Sequence, residues 1–225
     1  MALIQAIDLR KTYPGPGEPV QVLRGVDLEV ERGDMVTIVG ESGVGKTTLL
    51  YLLGAMERCT SGDLLFEGEN LARMKDARMD RFRNLNIGFV FQFHHLIQEF
   101  TALENTAMPA LLAGMSHKKA LDRGMELFHQ FGIEARALHK PGELSGGEQQ
   151  RVAVARALVM DPKVVLADEP TGNLDHITGM KLMDLFEKLN HENGVTFIIV
   201  THNERFAQLG NRCIRLVDGK AIKVK

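Results

Sequence analysis

Met35-Val36-Thr37-Ile38-Val39-Gly40-Glu41-Ser42-Gly43-Val44-Gly45-Lys46-Thr47-Thr48-Leu49-Leu50 is the stretch that decides the fold. A short, nearly unbroken apolar run leads into three glycines, and apolar residues resume from Thr48 to Leu53 in a helical pattern. An apolar run of that length reads as a strand buried on both faces. Strand, glycine loop and helix, with Gly40-x-x-x-x-Gly45-Lys46-Thr47 at the junction, is the setting of a phosphate cradle. Glycines let successive backbone N–H groups curl around phosphate oxygens, and the helix N-terminus adds a favourable dipole. Lys46 supplies a mobile positive charge for the β- and γ-phosphates, and the Thr47 hydroxyl is a ligand for Mg²⁺.

Outward from this stretch, strands alternate with helices. Val26, Leu28 and Val30 alternate with charged residues, as in a half-buried strand. Short strands are predicted around Leu64–Phe66, Ile87–Val90, Val164–Ala167 and Thr196–Val200, with a helix over Gly179–Leu189. From about Leu103 to Met160 the pattern is helical, and Asp218-Gly219 suits a tight hairpin turn. Such alternation implies an α/β fold with a parallel sheet and right-handed crossovers. The expected organisation is one domain over residues 1–225. Its nucleotide-binding core comprises residues 1–92 and 161–225, with a small antiparallel region near the N-terminus, and residues 93–160 form a helical insertion.

Val164-Val165-Leu166-Ala167-Asp168-Glu169 is an apolar strand ending in two carboxylates. Alternation sends their side chains in different directions. Asp168 then suits a role in holding Mg²⁺, and Glu169 is free to act on an attacking water as general base.

Leu144-Ser145-Gly146-Gly147-Glu148-Gln149-Gln150-Arg151 resembles the signature motif of ABC ATPases. Ser145 with Glu148 three residues on, before an apolar helix, also has the form of a capping box. The resemblance implies a P-loop NTPase fold with a RecA-like parallel-sheet core. It also implies that the start of this helix points at the γ-phosphate of ATP bound on a second copy of the chain. Further positions match in order. Tyr13 resembles the aromatic that stacks on adenine. Gln92 resembles the glutamine that touches Mg²⁺ and senses the γ-phosphate. Asn173-Leu174-Asp175 resembles the loop that crosses the dimer interface, and His202 resembles the switch histidine. The ATP-binding set implied is Tyr13, Gly40, Glu41, Ser42, Gly43, Val44, Gly45, Lys46, Thr47, Thr48 and Gln92. The metal set is Thr47, Gln92 and Asp168, the catalytic pair is Glu169 and His202, and Leu144, Ser145, Gly146, Gly147 and Glu148 act across the dimer with Asp175. Asn203 stands where the family usually has aspartate, and Glu41 and Val44 fill positions often held by small residues.

Phe91-Gln92-Phe93-His94-His95-Leu96, followed by Phe100 to Asn105 and Ala107-Met108-Pro109, looks like the corresponding segment of ATPases that drive lipoprotein-releasing transporters of Gram-negative bacteria. That resemblance implies a peripheral protein on the cytoplasmic face of the inner membrane. Its partners would be integral-membrane subunits of the LolC/LolE type, docked near Phe91–Pro109. An aromatic-rich groove flanked by polar residues is expected in this segment, with some of Phe91, Phe93 and Phe100 packing the insertion onto the core. ATPases of MacB-like efflux systems and FtsE-like cell-division systems are the neighbouring alternatives.

Composition agrees with these readings. Hydrophobic residues are 44% and charged residues 25% of the 225, with a formal net charge of -2, so no basic surplus points to nucleic acid. No apolar run approaches the roughly 20 residues of a membrane span, and the N-terminus lacks the pattern of a signal peptide. Cys59 and Cys213 form no metal-ligand spacing and read as small buried thiols. No heptads and no repeat indicate a DNA-remodelling or ribosome-acting relative, and no Asn-Lys-x-Asp guanine-reading motif is present.

Overall fold

The computed structural model describes residues 2–203, 206 and 210–224. The chain runs through β1 (Ile4–Tyr13), β2 (Val20–Val30), β3 (Met35–Val39), α1 (Lys46–Leu53), β4 (Ser61–Phe66), β5 (Glu69–Asn70), α2 (Asp76–Asn86) and β6 (Ile87–Phe91). It continues through α3 (Ala102–Leu112), α4 (His117–Phe131), α5 (Gly146–Leu158), β7 (Val164–Asp168), α6 (His176–Asn193), β8 (Thr196–Val200), β9 (Arg212–Val217) and β10 (Lys220–Lys223). Two sheets result. One has the order β2-β1-β4-β5 and is antiparallel. The other has the order β10-β9-β3-β8-β7-β6, parallel except where β10 closes its edge through the Asp218-Gly219 hairpin.

Side-chain alternation divides the apolar residues of the larger sheet between two cores. Val36, Ile38, Val164, Leu166, Ile198 and Val200 face α1 and the antiparallel sheet. Val165, Ala167, Phe197 and Ile199 face the other way, onto α5, α6 and the helices of the insertion. Both faces are therefore covered, which is why these strands read as continuous apolar runs rather than alternating ones. Helix α5 packs on β6 as well as on α3 and α4, so it joins the insertion to the sheet.

One element was not predicted from the sequence, and the N-terminal antiparallel region is irregular. Residues 76–86 form a helix, α2, that buries only Met79 and therefore shows no apolar stripe. Strand β1 is ten residues long, but its pairing with β2 shifts register between Ala6 and Leu9, which breaks the alternation. Cys59 is only half-buried, Cys213 is buried, and both are free. Among the described residues no helix is long and apolar enough to cross a membrane.

Candidate active site

The loop between β3 and α1 bends as its glycines require. Gly45 has φ 102 and precedes α1 directly; a Cβ there would lie 2.8 Å from Val22 Cγ1. Glycine is what this position tolerates, because both the positive φ and the close approach penalise any side chain. Lys46 is nearly buried and donates from Nζ to the carbonyls of Gly40 (3.0 Å) and Glu41 (2.8 Å). Its ammonium is thus held over the loop by carbonyls alone. Glu41, Ser42, Gly43 and Thr47 are exposed at the rim, with Val44 and Thr48 half-buried behind them.

The Thr47 hydroxyl donates to Asp168 Oδ1 at 3.2 Å, joining the helix start to the end of β7. Burial pushes the Asp168 carboxyl up from its ordinary value; the Thr47 bond pulls the other way, and the neighbouring Glu169 charge adds to the rise. A bound metal ion would relieve the desolvation of this carboxylate. The donors here are hard oxygens, as Mg²⁺ prefers. Among the described residues no group of three or more His, Cys, Asp or Glu side chains gathers into a metal cage.

Glu169 follows with φ 46, and its N–H donates to the Val200 carbonyl at 2.9 Å. The left-handed turn sends its side chain away from that of Asp168. Glu169 Oε1 meets His202 Nδ1 at 2.8 Å, with the histidine side chain 71% exposed and the glutamate 17%. Glu169 Oε2 is buried and has no hydrogen-bond partner among the described residues. An unpaired carboxylate oxygen in a buried position is costly unless something else binds it. The chain therefore brings Lys46, Thr47, Asp168, Glu169 and His202 to the ends of three adjacent parallel strands, where phosphate sites of such sheets lie.

Gln92 is placed differently from the expected metal ligand. Its Nε2 donates to Asn173 Oδ1 (3.1 Å), and Asn173 Nδ2 donates back to the Gln92 carbonyl (3.0 Å). The amide is thus turned toward the loop holding Asn173, and no bond ties it to Thr47 or Asp168. Tyr13 donates to Glu57 Oε2 at 2.6 Å, and Lys11 Nζ lies 4.7 Å from its ring centroid.

The signature segment forms a second cluster. Ser145 caps α5 in a complete capping box: Glu148 Oε2 accepts from Ser145 N (2.8 Å) and Ser145 Oγ (2.7 Å). Gly146 and Gly147 lie against Leu174 and Thr178, where a Cβ on Gly147 would come within 2.6 Å of Thr178 Cγ2. Asp175 caps α6 through the N–H groups of Ile177 and Thr178. Leu144 is buried. The contacts of this cluster run to α6 and the insertion, those of the phosphate loop and the start of α1 to β2, β7 and β9.

Sequence reasoning missed Gln150. It is 1% exposed and donates to the Pro170 carbonyl (2.8 Å) and the Phe91 carbonyl (3.4 Å), linking α5, the residue after the acid pair and the end of β6. A glutamine at an apolar position of a helix pattern was the available signal. Near it, a cavity of about 810 Å³ is lined by Phe89, Phe91, His95, Pro109, Leu112 and Arg156, among others. Its aromatic wall is Phe89 stacked on Phe91, with ring centroids 5.8 Å apart. Phe93 is 66% exposed, and Phe100 sits half-buried in the turn before α3.

A phosphate loop, an acid pair and a glycine-led helix cap on one α/β chain define an ABC-type ATPase cassette. Residues 23–172 match the ABC transporter family model, and the chain belongs to that family. It is a homologue of proteins named lipoprotein-releasing system ATP-binding protein LolD. The protein of that name from Syntrophus aciditrophicus is 51% identical, covering 98% of this chain and 99% of its own length. The one from Geobacter metallireducens is 52% identical, covering 98% of each. The dimeric structure of MJ0796, a bacterial ABC transporter cassette, superposes with a TM-score of 0.91 at 40% identity over 99% of this chain and 98% of its own. A post-hydrolysis state of the same cassette, bound to ADP and Pi, gives 0.91 at 39% identity.

Proposed function

We propose that this chain is the ATPase of a membrane complex that releases lipoproteins from the bacterial inner membrane. It would sit on the cytoplasmic face and be bound to integral-membrane subunits of the LolC/LolE type. The observation that carries this reading is the near-full-length similarity to proteins named for that system, at about half the residues identical. The groove of Phe89, Phe91, Pro109 and Leu112 supports a docking role. Leu112 is 74% exposed, and aromatic and aliphatic side chains flanked by arginines suit an amphipathic helix of a partner.

In the reaction, Gly40 to Thr48 cradle the triphosphate with backbone N–H groups, and Lys46 turns from its loop carbonyls toward the β- and γ-phosphates. Tyr13 stacks on adenine. Thr47 and Asp168, joined by Gln92 once its amide leaves Asn173, would hold Mg²⁺, which neutralises charge on the phosphates when bound. Glu169 accepts a proton from the attacking water at Oε2, while His202 fixes Oε1 and reaches the γ-phosphate. The site is completed head-to-tail by a second copy, whose Leu144 to Glu148 segment and Asp175 loop approach the same γ-phosphate. The single domain would then work as a core of residues 1–92 and 161–225 against an arm of residues 93–160.

Detergent extraction of a Glu169→Gln variant with ATP tests this. Recovery of two integral-membrane proteins, and ATP-dependent release of acylated proteins from membranes carrying the complex, is the expected result. Recovery of an efflux permease or of a cell-wall hydrolase regulator would transfer the chain to a different process. Leu112→Asp is expected to lose the membrane partners without lowering the unfolding midpoint.

A further inference from the structure

We propose that Arg136 is a positioning residue for the signature segment: through Glu148 it holds Ser145 in place and cancels a carboxylate that would otherwise oppose the second copy's γ-phosphate. The proposal rests on the head-to-tail reading above.

The start of α5 is suited to an anion, because its first N–H groups are unpaired within the helix and its dipole favours negative charge. Glu148 conflicts with that use. It sits at the third helical position, within the first turn, and brings a full negative charge to the end that is to receive a phosphate. Like charges a few ångströms apart in a closing, partly dried interface repel strongly. The carboxylate also cannot shed its charge by taking up a proton. Hydrogen bonds from the Arg136 side chain, then from the Ser145 side chain and backbone, hold its pKa down to about 2.

Arg136 supplies the missing compensation. It lies in the short 3-10 turn Glu134–Arg136, outside α5, and its Nε donates to Glu148 Oε1 at 2.6 Å. Glu148 Oε2 is left for the Ser145 N–H and hydroxyl. The division of labour is complete: one carboxylate oxygen faces the arginine and the other faces the serine. Swinging the carboxylate toward a phosphate, or turning Ser145 to another rotamer, breaks charge-assisted bonds. The terminal guanidinium nitrogens of Arg136 have no partner among the described residues, and its side chain is 42% exposed. Its positive charge is therefore spent on Glu148 alone.

A double-mutant cycle in the Glu169→Gln chain tests this, with ATP-dependent self-association measured by sedimentation in Mg-ATP. Arg136→Gln is expected to weaken self-association on the order of tenfold, and ATP affinity of the dilute monomer, read with a fluorescent nucleotide, is expected to stay constant. Arg136→Lys keeps the charge and is expected to recover most of the loss. In the Glu148→Gln background, where no carboxylate needs cancelling, Arg136→Gln is expected to cost less than about twofold. An equal cost in both backgrounds would mean that Arg136 only packs the turn, and that overturns the proposal, as does no cost in either. A parent Glu169→Gln chain that fails to self-associate with ATP overturns the head-to-tail reading and this assignment together, a result distinct from the other two.

Discussion

Replacing Glu169 by glutamine exchanges one carboxylate oxygen for an NH2 group and keeps the side chain's shape. The structure fixes what each half of the carboxylate does. Oε1 meets His202 Nδ1 at 2.8 Å, and Oε2 is buried and unclaimed. A glutamine can keep its carbonyl oxygen on His202, so the fold and the histidine position survive. The NH2 group then occupies the unclaimed place, where it donates a hydrogen bond and cannot accept a proton. Loss of a positioned general base costs about 10²- to 10⁴-fold in rate, or about 3 to 5 kcal/mol on the barrier. The proposed nucleotide contacts are Lys46 and the loop backbone, not Glu169, so binding is expected to persist. Phosphate release under saturating Mg-ATP reads kcat, fluorescent-nucleotide titration reads affinity, and sedimentation reads self-association. A variant whose kcat stays within about tenfold of the parent refutes Glu169 as base. Equally damaging is a loss of turnover that follows a matching loss of ATP affinity, because the residue would then be binding rather than reacting.

Three more outcomes follow from the geometry. Gly45→Ala places a Cβ 2.8 Å from Val22 Cγ1 at φ 102; strain and overpacking together are expected to cost about 2 to 4 kcal/mol, visible as a lower thermal midpoint and a loss of ATP binding. Gln150→Leu removes the donor to the Pro170 carbonyl, but it also removes Gln150 Oε1, which is itself buried and unpaired; the two changes partly offset, so denaturant unfolding is expected to show a loss of about 1 kcal/mol rather than 3. Glu148 titrates from an ordinary 4.5 in the unfolded chain to about 2 in the folded one. A depressed carboxylate pKa stabilises the fold above the unfolded value, and that contribution is lost as pH falls from 4.5 toward 2. Solvent screening at this partly exposed pair limits it to about 1 kcal/mol, and acid unfolding curves of Arg136→Gln are expected to lack that increment.

The legible parts of the molecule were those in which local pattern and chemistry coincide. Residues 35–53 switch from strand to glycine loop to helix within one window, and Ser145 with Glu148 announces the start of α5 three residues apart. Val164 to Glu169 reads as strand and acid pair because both faces of β7 are buried. Helix α2 escaped because its polar residues give no stripe. Other features depend on partners distant in sequence. The amide exchange between Gln92 and Asn173 spans 81 positions, and Gln150 reaches back 59 positions to Phe91. Nothing local to residues 92 or 150 specifies those contacts, since they exist only once the sheet has brought β6 beside β7. Phe89 and Phe91 are two residues apart on one strand and share a face, whereas Phe93 has left the strand and points elsewhere.

The two hydrogen bonds of Gln150 are unequal, at 2.8 Å to Pro170 and 3.4 Å to Phe91. Under a pull on α5, the longer and weaker contact parts first. The weaker end lies on the side of the groove lined by Phe89 and Phe91, and the stronger end holds the backbone just after Glu169. One buried amide thus ties the helix of the signature segment both to the loop after the acid pair and to the strand that walls the groove.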